Sequence, residues 1–151
     1  MIQTLMTLRG IAVITATSLV AEVGSFERFL TPKHFMSYTG LVPSENSSGV
    51  TRNVGEITKT GNRHVRRLLI EAAWSYRYQP AVKGELKKRQ KDQPTNILGV
   101  SWKAQNRLHT KYFRLMGRGK ESGKAITAVA RELAGFIWAV ANEATYGANK
   151  S

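Results

Sequence analysis

The chain has 151 residues, 42% of them hydrophobic, which suits one domain with a modest core and excludes a disordered segment. Lys and Arg total 23 against 10 Asp and Glu, and the resulting net charge of +13 favours nucleic acid or an anionic surface over an acidic small substrate. No apolar run approaches the ~20 residues of a spanning helix and no charged-then-apolar leader opens the chain, so no membrane partner is expected. Zero cysteines exclude disulfides and thiolate metal sites and fit a reducing cytoplasm. The three histidines, His34, His64 and His109, stand at none of the short spacings of a zinc site, so no metal ligands and no cofactor are expected within the chain.

In chain order, Leu5 and Leu8 precede Arg9-Gly10-Ile11, and Ile14, Ala16, Leu19, Val20 and Val23 then form an amphipathic run that stops at Gly24. Two apolar segments around a glycine turn predict a helix-hairpin-helix-like motif over residues 1–24, a module whose turn amides hold a backbone phosphate. The second glycine usual in such a turn is Ala12 here, so a phosphate-binding turn and a purely structural one both stay open. Thr31-Pro32, a capping residue followed by a proline suited to a first helical position, predicts a short helix over 33–39 that Gly40 terminates.

Residues 40–61 are punctuated by Gly40, Pro43, Gly49, Gly55 and Gly61 and read as a glycine-rich loop carrying Ser47 and Ser48. Alternating hydrophobicity around Gly55 makes a short hairpin over 50–58 an option. After Gly61 the period changes: Val65, Leu68, Leu69, Ala72, Ala73 and Tyr76 recur at helical spacing, which starts a helix near Asn62, a good capping residue. Its first turns carry Arg63, His64, Arg66 and Arg67. Positive side chains there oppose the helix dipole, which is easier to understand if an anion sits among them, although a solvated face is the plainer reading. A serine hydroxyl in front of an arginine cluster can serve as a nucleophile beside a phosphate clamp, with Arg52 and Lys59 adding charge. Loop serines are also common on surfaces, and neither Ser48 nor Ser47 is a nucleophile by composition alone.

Beyond Pro80 the helices continue. Residues 81–90 are strongly basic, and the stretch from Asp92 to Pro94 breaks them. Residues 95–116 place Ile97, Val100, Ala104, Leu108, Tyr112 and Leu115 on one face and Lys103, Arg107, Lys111 and Arg114 on another, a stripe that is either solvated or turned to nucleic acid. Residues 117–123 are a turn without the order of a Walker loop. The last helix, 125–144, has an almost wholly apolar face, with Trp138 in the core or against a partner, and a tail frayed from Gly147. The expected fold is all-α: the hairpin motif, a serine loop, a helical bundle over 62–144, and a tail at 147–151.

The stretches LRGIAVITATSLVAEVG, RFLTPKHFMSYTGLVPSENSSG, ITKTGNRHVRRLLIEAAW and RELAGFIWAV resemble the C-terminal domain of the IS-one-ten type insertion-sequence transposases, also described as RNA-guided bridge recombinases. The likeness covers nearly the whole chain, in family order, over 1–146. It implies a bacterial, cytoplasmic, nucleoid-associated domain that binds DNA and a guide RNA. It also implies that the domain supplies a serine nucleophile for strand cleavage and rejoining, Ser48 first and Ser47 as runner-up. Nucleic-acid contacts would fall to Arg52, Lys59, Asn62, Arg63, Arg66, Arg67, Lys103, Arg107 and Lys111. The family's Mg2+ belongs to a separate acidic, resolvase-like N-terminal domain. This chain opens almost at the hairpin motif and has one aspartate, Asp92, so it reads as a truncated copy or separately encoded domain that needs that partner, or a second copy of itself, for activity. Two other functions stay open: a non-catalytic nucleic-acid-binding module, and a helical assembly domain.

Overall fold

In the computed structural model, which describes residues 1–46, 53–57 and 61–150, one long apolar helix organises the rest. This is α7 (Ser122–Lys150). Its Ile126, Val129, Ala130, Leu133, Ala134, Ile137, Val140 and Ala141 recur at three- and four-residue steps and are fully buried. Around it lie α1 (Ile2–Leu5), α2 (Val13–Val23), α3 (Pro32–Thr39), α4 (Arg63–Ala73), α5 (Gly84–Gln90) and α6 (Thr95–Gly117), with 3-10 turns at Phe26–Arg28 and Trp74–Arg77. Helices α6, α3, α4 and α1 pack directly on α7. Leu5, Leu8, Leu19, Phe35, Leu69, Tyr76 and Leu108 fill the space between them. The fold is all-α, as the sequence leads one to expect, with one small β element.

That element is an antiparallel pair, β1 (Pro43–Asn46) with β2 (Asn53–Ile57), in which Pro43 faces Ile57 and Asn46 faces Asn53. The register slips by one residue between Pro43 and Glu45, the signature of a bulge. The hairpin therefore begins earlier than the 50–58 stretch suggests, and Gly55 lies inside the second strand instead of at a turn. Pro43, which has no amide hydrogen to donate, is tolerated as the first residue of an edge strand.

Helix ends follow local chemistry. Thr31 caps α3 by accepting a hydrogen bond from the His34 amide at 3.3 Å, with Pro32 at the first helical position and Gly40 closing the helix in the left-handed region at φ 72°. Three bounds differ from those the periodicity predicts. Helix α1 is a single turn, so the N-terminal motif is one turn and a long connection before α2. Helix α5 begins at Gly84, since residues 81–83 are not helical and Lys83 before it is extended. Helix α7 starts at Ser122 and runs to Lys150 where a frayed tail is expected, because a lone Gly147 costs only about 1 kcal/mol against the hydrogen bonds a long helix propagates.

The N-terminal connection is fixed through its carbonyls. Arg89 Nε donates to the Met6 carbonyl at 2.8 Å, Ser101 Oγ and Gln90 Nε2 donate to that of Thr7 at 2.7 and 2.9 Å, and the buried Tyr76 hydroxyl donates to that of Arg9 at 2.7 Å. Burial pushes the Tyr76 phenol well above its ordinary range and pulls Arg89 down, so Tyr76 stays a donor. Gly10, at φ 85°, lies so close to α4 that a Cβ would stand 2.6 Å from the Ala72 carbonyl oxygen. The glycine of this turn thus has a packing role whatever else the turn does.

Candidate nucleic-acid interface

Ser47, Ser48, Arg52 and Lys59 lie outside the described residues. What the structure fixes is the frame around the serine-bearing stretch. The chain leaves α3 at Gly40 and returns at Gly61-Asn62, where the Asn62 amide donates to the Tyr38 carbonyl at 2.7 Å. At Gly61 a Cβ would collide with that same Tyr38 carbonyl, so only glycine lets the returning strand pass. The Asn62 side chain is fully occupied: Oδ1 accepts from the Val65 amide at 2.9 Å, and Nδ2 donates to the Tyr38 hydroxyl and to Glu22 Oε2, both at 3.0 Å. Tyr38 in turn stacks with Phe35, meets Phe29 at a tilt of 52°, and carries the Arg28 guanidinium 4.9 Å from its ring centre. Asn62 is therefore placed to position α4 from within the fold, and its side chain has no donor left for a ligand.

The first turns of α4 divide by role. Arg63, His64 and Arg67 are exposed. Arg66 is half-buried and its Nη1 donates to the Thr39 carbonyl at 3.4 Å, setting a positive charge on the C-terminal end of α3. Arg67 Nε sits 3.5 Å from Glu71 Oε1, a solvent-facing pair one turn apart that leaves the guanidinium accessible. The cluster thus presents three cationic or titratable side chains outward, just where the hairpin ends.

The basic stripe of α6 also divides. Lys103 is exposed, whereas Arg107 Nη2 and Lys111 Nζ both reach Glu132 Oε1 on α7, at 3.1 and 3.3 Å. Burial raises the Glu132 carboxyl, but the Arg107 hydrogen bond and the Lys111 charge outweigh it and hold the group below its ordinary value. Nothing in the periodicity singles out Glu132, yet a signal exists: it is the one carboxylate in the apolar stretch 122–142. Trp138 packs, partly buried, against the core, with its indole donating to the Phe29 carbonyl at 2.9 Å. Among the described residues no three His, Cys, Asp or Glu side chains are grouped to hold a metal ion. Nor is any of the described helices long and apolar enough to cross a membrane.

A basic helical domain, with a hairpin clamped in front of an arginine-bearing helix, is the class these features define. The sequence profile of the transposase IS116/IS110/IS902 family matches residues 2–86, and the chain belongs to that family. It is 47% identical over 137 residues to a Sinorhizobium fredii protein provisionally named transposase y4qE, covering 91% of this chain and 35% of that one. It is 38% identical over 74 residues to the transposase for insertion sequence element IS1328 of Yersinia enterocolitica, covering 49% and 22%. A third relative, the uncharacterized 43.6 kDa protein of insertion element IS110 in Streptomyces coelicolor, is 26% identical over 137 residues, covering 91% and 28%. The chain thus spans at most 35% of the length of these relatives. No solved structure matches it.

Proposed function

We propose that the chain, over residues 1–146, is the serine-bearing nucleic-acid domain of an insertion-sequence transposase, and that Ser48, with Ser47 as runner-up, attacks a DNA phosphodiester. The observation that carries this reading is the clamp. The two ends of the serine segment are held together at Tyr38 and Asn62, and the returning end opens directly into the turn that bears Arg63, His64 and Arg67. In the step, the serine Oγ–P bond forms and a P–O bond of the DNA backbone breaks. The serine proton passes to a base and the departing DNA oxygen leaves as a free hydroxyl. The phosphoserine ester conserves the bond for rejoining to another strand. Arg63 and Arg67, with Arg52 and Lys59, neutralise the charge that develops on the phosphate.

DNA is the substrate and a guide RNA the second ligand of this reading, in keeping with the charge of +13 and the transposase names of the relatives. The turn at Gly10 fits it too. Its carbonyls are taken up by side chains of the protein, while among the described residues the amides of Arg9, Gly10 and Ala12 donate to no carbonyl. An acidic partner domain with its Mg2+ completes the enzyme.

The test is covalent trapping. Supplied with the acidic domain, guide RNA and target DNA, the protein should form a denaturation-resistant DNA adduct that Ser48→Ala abolishes while DNA binding stays largely intact. Adduct formation by Ser48→Ala but not by Ser47→Ala moves the nucleophile one position; formation by both variants ends the serine mechanism for this chain.

A further inference from the structure

A second basic surface lies away from the hairpin, on α6. The segment 76–81 is strapped along that helix. The His109 Nδ1 is 3.0 Å from the Tyr76 carbonyl and the Ala81 amide donates to Gln105 Oε1 at 3.0 Å. Arg9 Nη1 ties the carbonyls of Tyr78 and Gln79 to the same Gln105 oxygen. Beside this strap, Trp102, Asn106, His109 and Phe113 follow one another at four-, three- and four-residue steps, a single stripe along the helix. The rings here are open to solvent: Trp102 is 46% exposed, Phe113 58% and Tyr78, on the strap, 57%. Phe113 is tilted at 55° against His109, with the ring centres 4.7 Å apart, and meets Tyr112 edge-on at 6.0 Å. Arg77 lies 5.5 Å from the Trp74 ring and 4.9 Å from that of Tyr78.

Charge decides what such a surface can meet. Helix α6 contains no Asp or Glu in 23 residues, and neither does the segment 74–84. The carboxylates that do reach α6, Glu132 and Glu143, hydrogen-bond to Arg107, Lys111 and Asn96 instead of the aromatic stripe. On helical spacing the stripe falls between Gln105 and the strap on one side and Lys103 and Arg114 on the other. Exposed rings set singly among polar side chains and bordered by cations suit an anionic ligand that also carries flat apolar faces. A duplex offers its phosphates but hides its base faces. A strand of unpaired bases offers both.

We propose that this surface is a stacking platform for single-stranded nucleic acid, in which unpaired bases lie on Trp102, Tyr78 and Phe113 while Lys103, Arg114 and Arg77 meet the phosphates. The inference rests on the nucleic-acid reading above but concerns a different face and a different ligand form. Bases stack on ring faces with little sequence preference, and the guanidinium carbon of Arg77, 4.9 Å from the Tyr78 ring centre, sets a positive charge beside that ring.

The test measures binding of the intact chain to fluorescently labelled oligo(dT) and oligo(rU) of about twenty nucleotides, and to a duplex of the same length. Trp102→Ala/Phe113→Ala and, separately, Tyr78→Ala should each weaken single-strand binding by about tenfold or more per ring lost, leave duplex binding unchanged, and leave the helical circular dichroism intact because the rings are half in solvent. Trp102→Phe should restore most of the loss. The dT and rU arms show whether DNA or RNA is the preferred strand. The inference is overturned if the ring variants bind single strands like the wild type, if they lose duplex and single-strand binding equally, or if their effect is to convert a dimer to a monomer in light scattering. Binding of neither ligand by the wild type would instead remove the nucleic-acid reading itself.

Discussion

Glu132 shows how one half-buried carboxylate engages two basic side chains that the sequence leaves free. Arg107 and Lys111 stand on the polar side of α6, four residues apart, and periodicity alone cannot say whether they face solvent, nucleic acid or a neighbouring helix. Packing α7 against α6 brings Glu132 Oε1 within 3.1 and 3.3 Å of both, and Lys111 is left with 17% of its side chain exposed. The carboxyl is held below its ordinary 4.5 even though burial alone would raise it. A depressed folded value means that the contribution is complete above the ordinary value and is lost as pH falls through the folded one. Glu132→Gln should therefore cost about 1–2 kcal/mol in urea unfolding at pH 7, with the gap to wild type closing below about pH 4. A gap that is the same at pH 3 and pH 7 would show that the ion contacts are not its source.

At the scale of elements, helix ends are the part most legible in the sequence. Thr31-Pro32, Gly40 and Asn62 each announce a boundary through chemistry confined to a few residues, and each boundary falls there. The hairpin is half legible. Glycines mark a turn-rich stretch, but which residues pair depends also on how the ends are held, and Asn62 is tied to Tyr38 on the far side of the hairpin in sequence. The buried Ser101 and Gln105 on the core side of α6 are not legible at all. Their partners are the carbonyl of Thr7 and the side chain of Arg9, distant in sequence and brought near only by the fold. Of the candidate site, the arginine turn reads directly from sequence, whereas the roles of Asn62 and Arg66 as internal braces do not. Asn62 gives a test at this scale. Asn62→Ala should lose about 1–2 kcal/mol of stability from the cap. Asn62→Asp keeps a good capping oxygen but turns a donor into an acceptor 3.0 Å from Glu22 Oε2, so it too should unfold at lower temperature than wild type. An Asn62→Asp protein as stable as the native one would mean that the links to Glu22 and Tyr38 contribute nothing.

For the whole molecule, the question is whether a net charge of +13 acts as a diffuse field or through particular contacts. The fold separates the cations into those it uses internally, Arg9, Arg66, Arg89 and Lys111, and those it leaves outward, Arg63, Arg67, Lys103 and the ion-paired but exposed Arg107 among them. A diffuse field would be reduced about equally by removing any outward charge. A clamp at the start of α4 would be reduced far more by Arg63→Gln/Arg67→Gln than by two neutralising substitutions elsewhere, such as Lys87→Gln/Lys120→Gln, both exposed and outside either proposed surface. Arg66 is left in place because its bond to the Thr39 carbonyl braces α3, and losing it would confuse binding with folding. Each duplex phosphate contact contributes about 0.9 to the slope of log affinity against log salt, so the α4 double variant should shallow the slope by up to about 1.8 while the control pair changes it less. Measured by anisotropy on a short duplex across a salt series, equal slopes for the two double variants would dissolve the clamp into the general field. A selective change would fix the phosphate at the exit of the serine hairpin, where the proposed chemistry needs it.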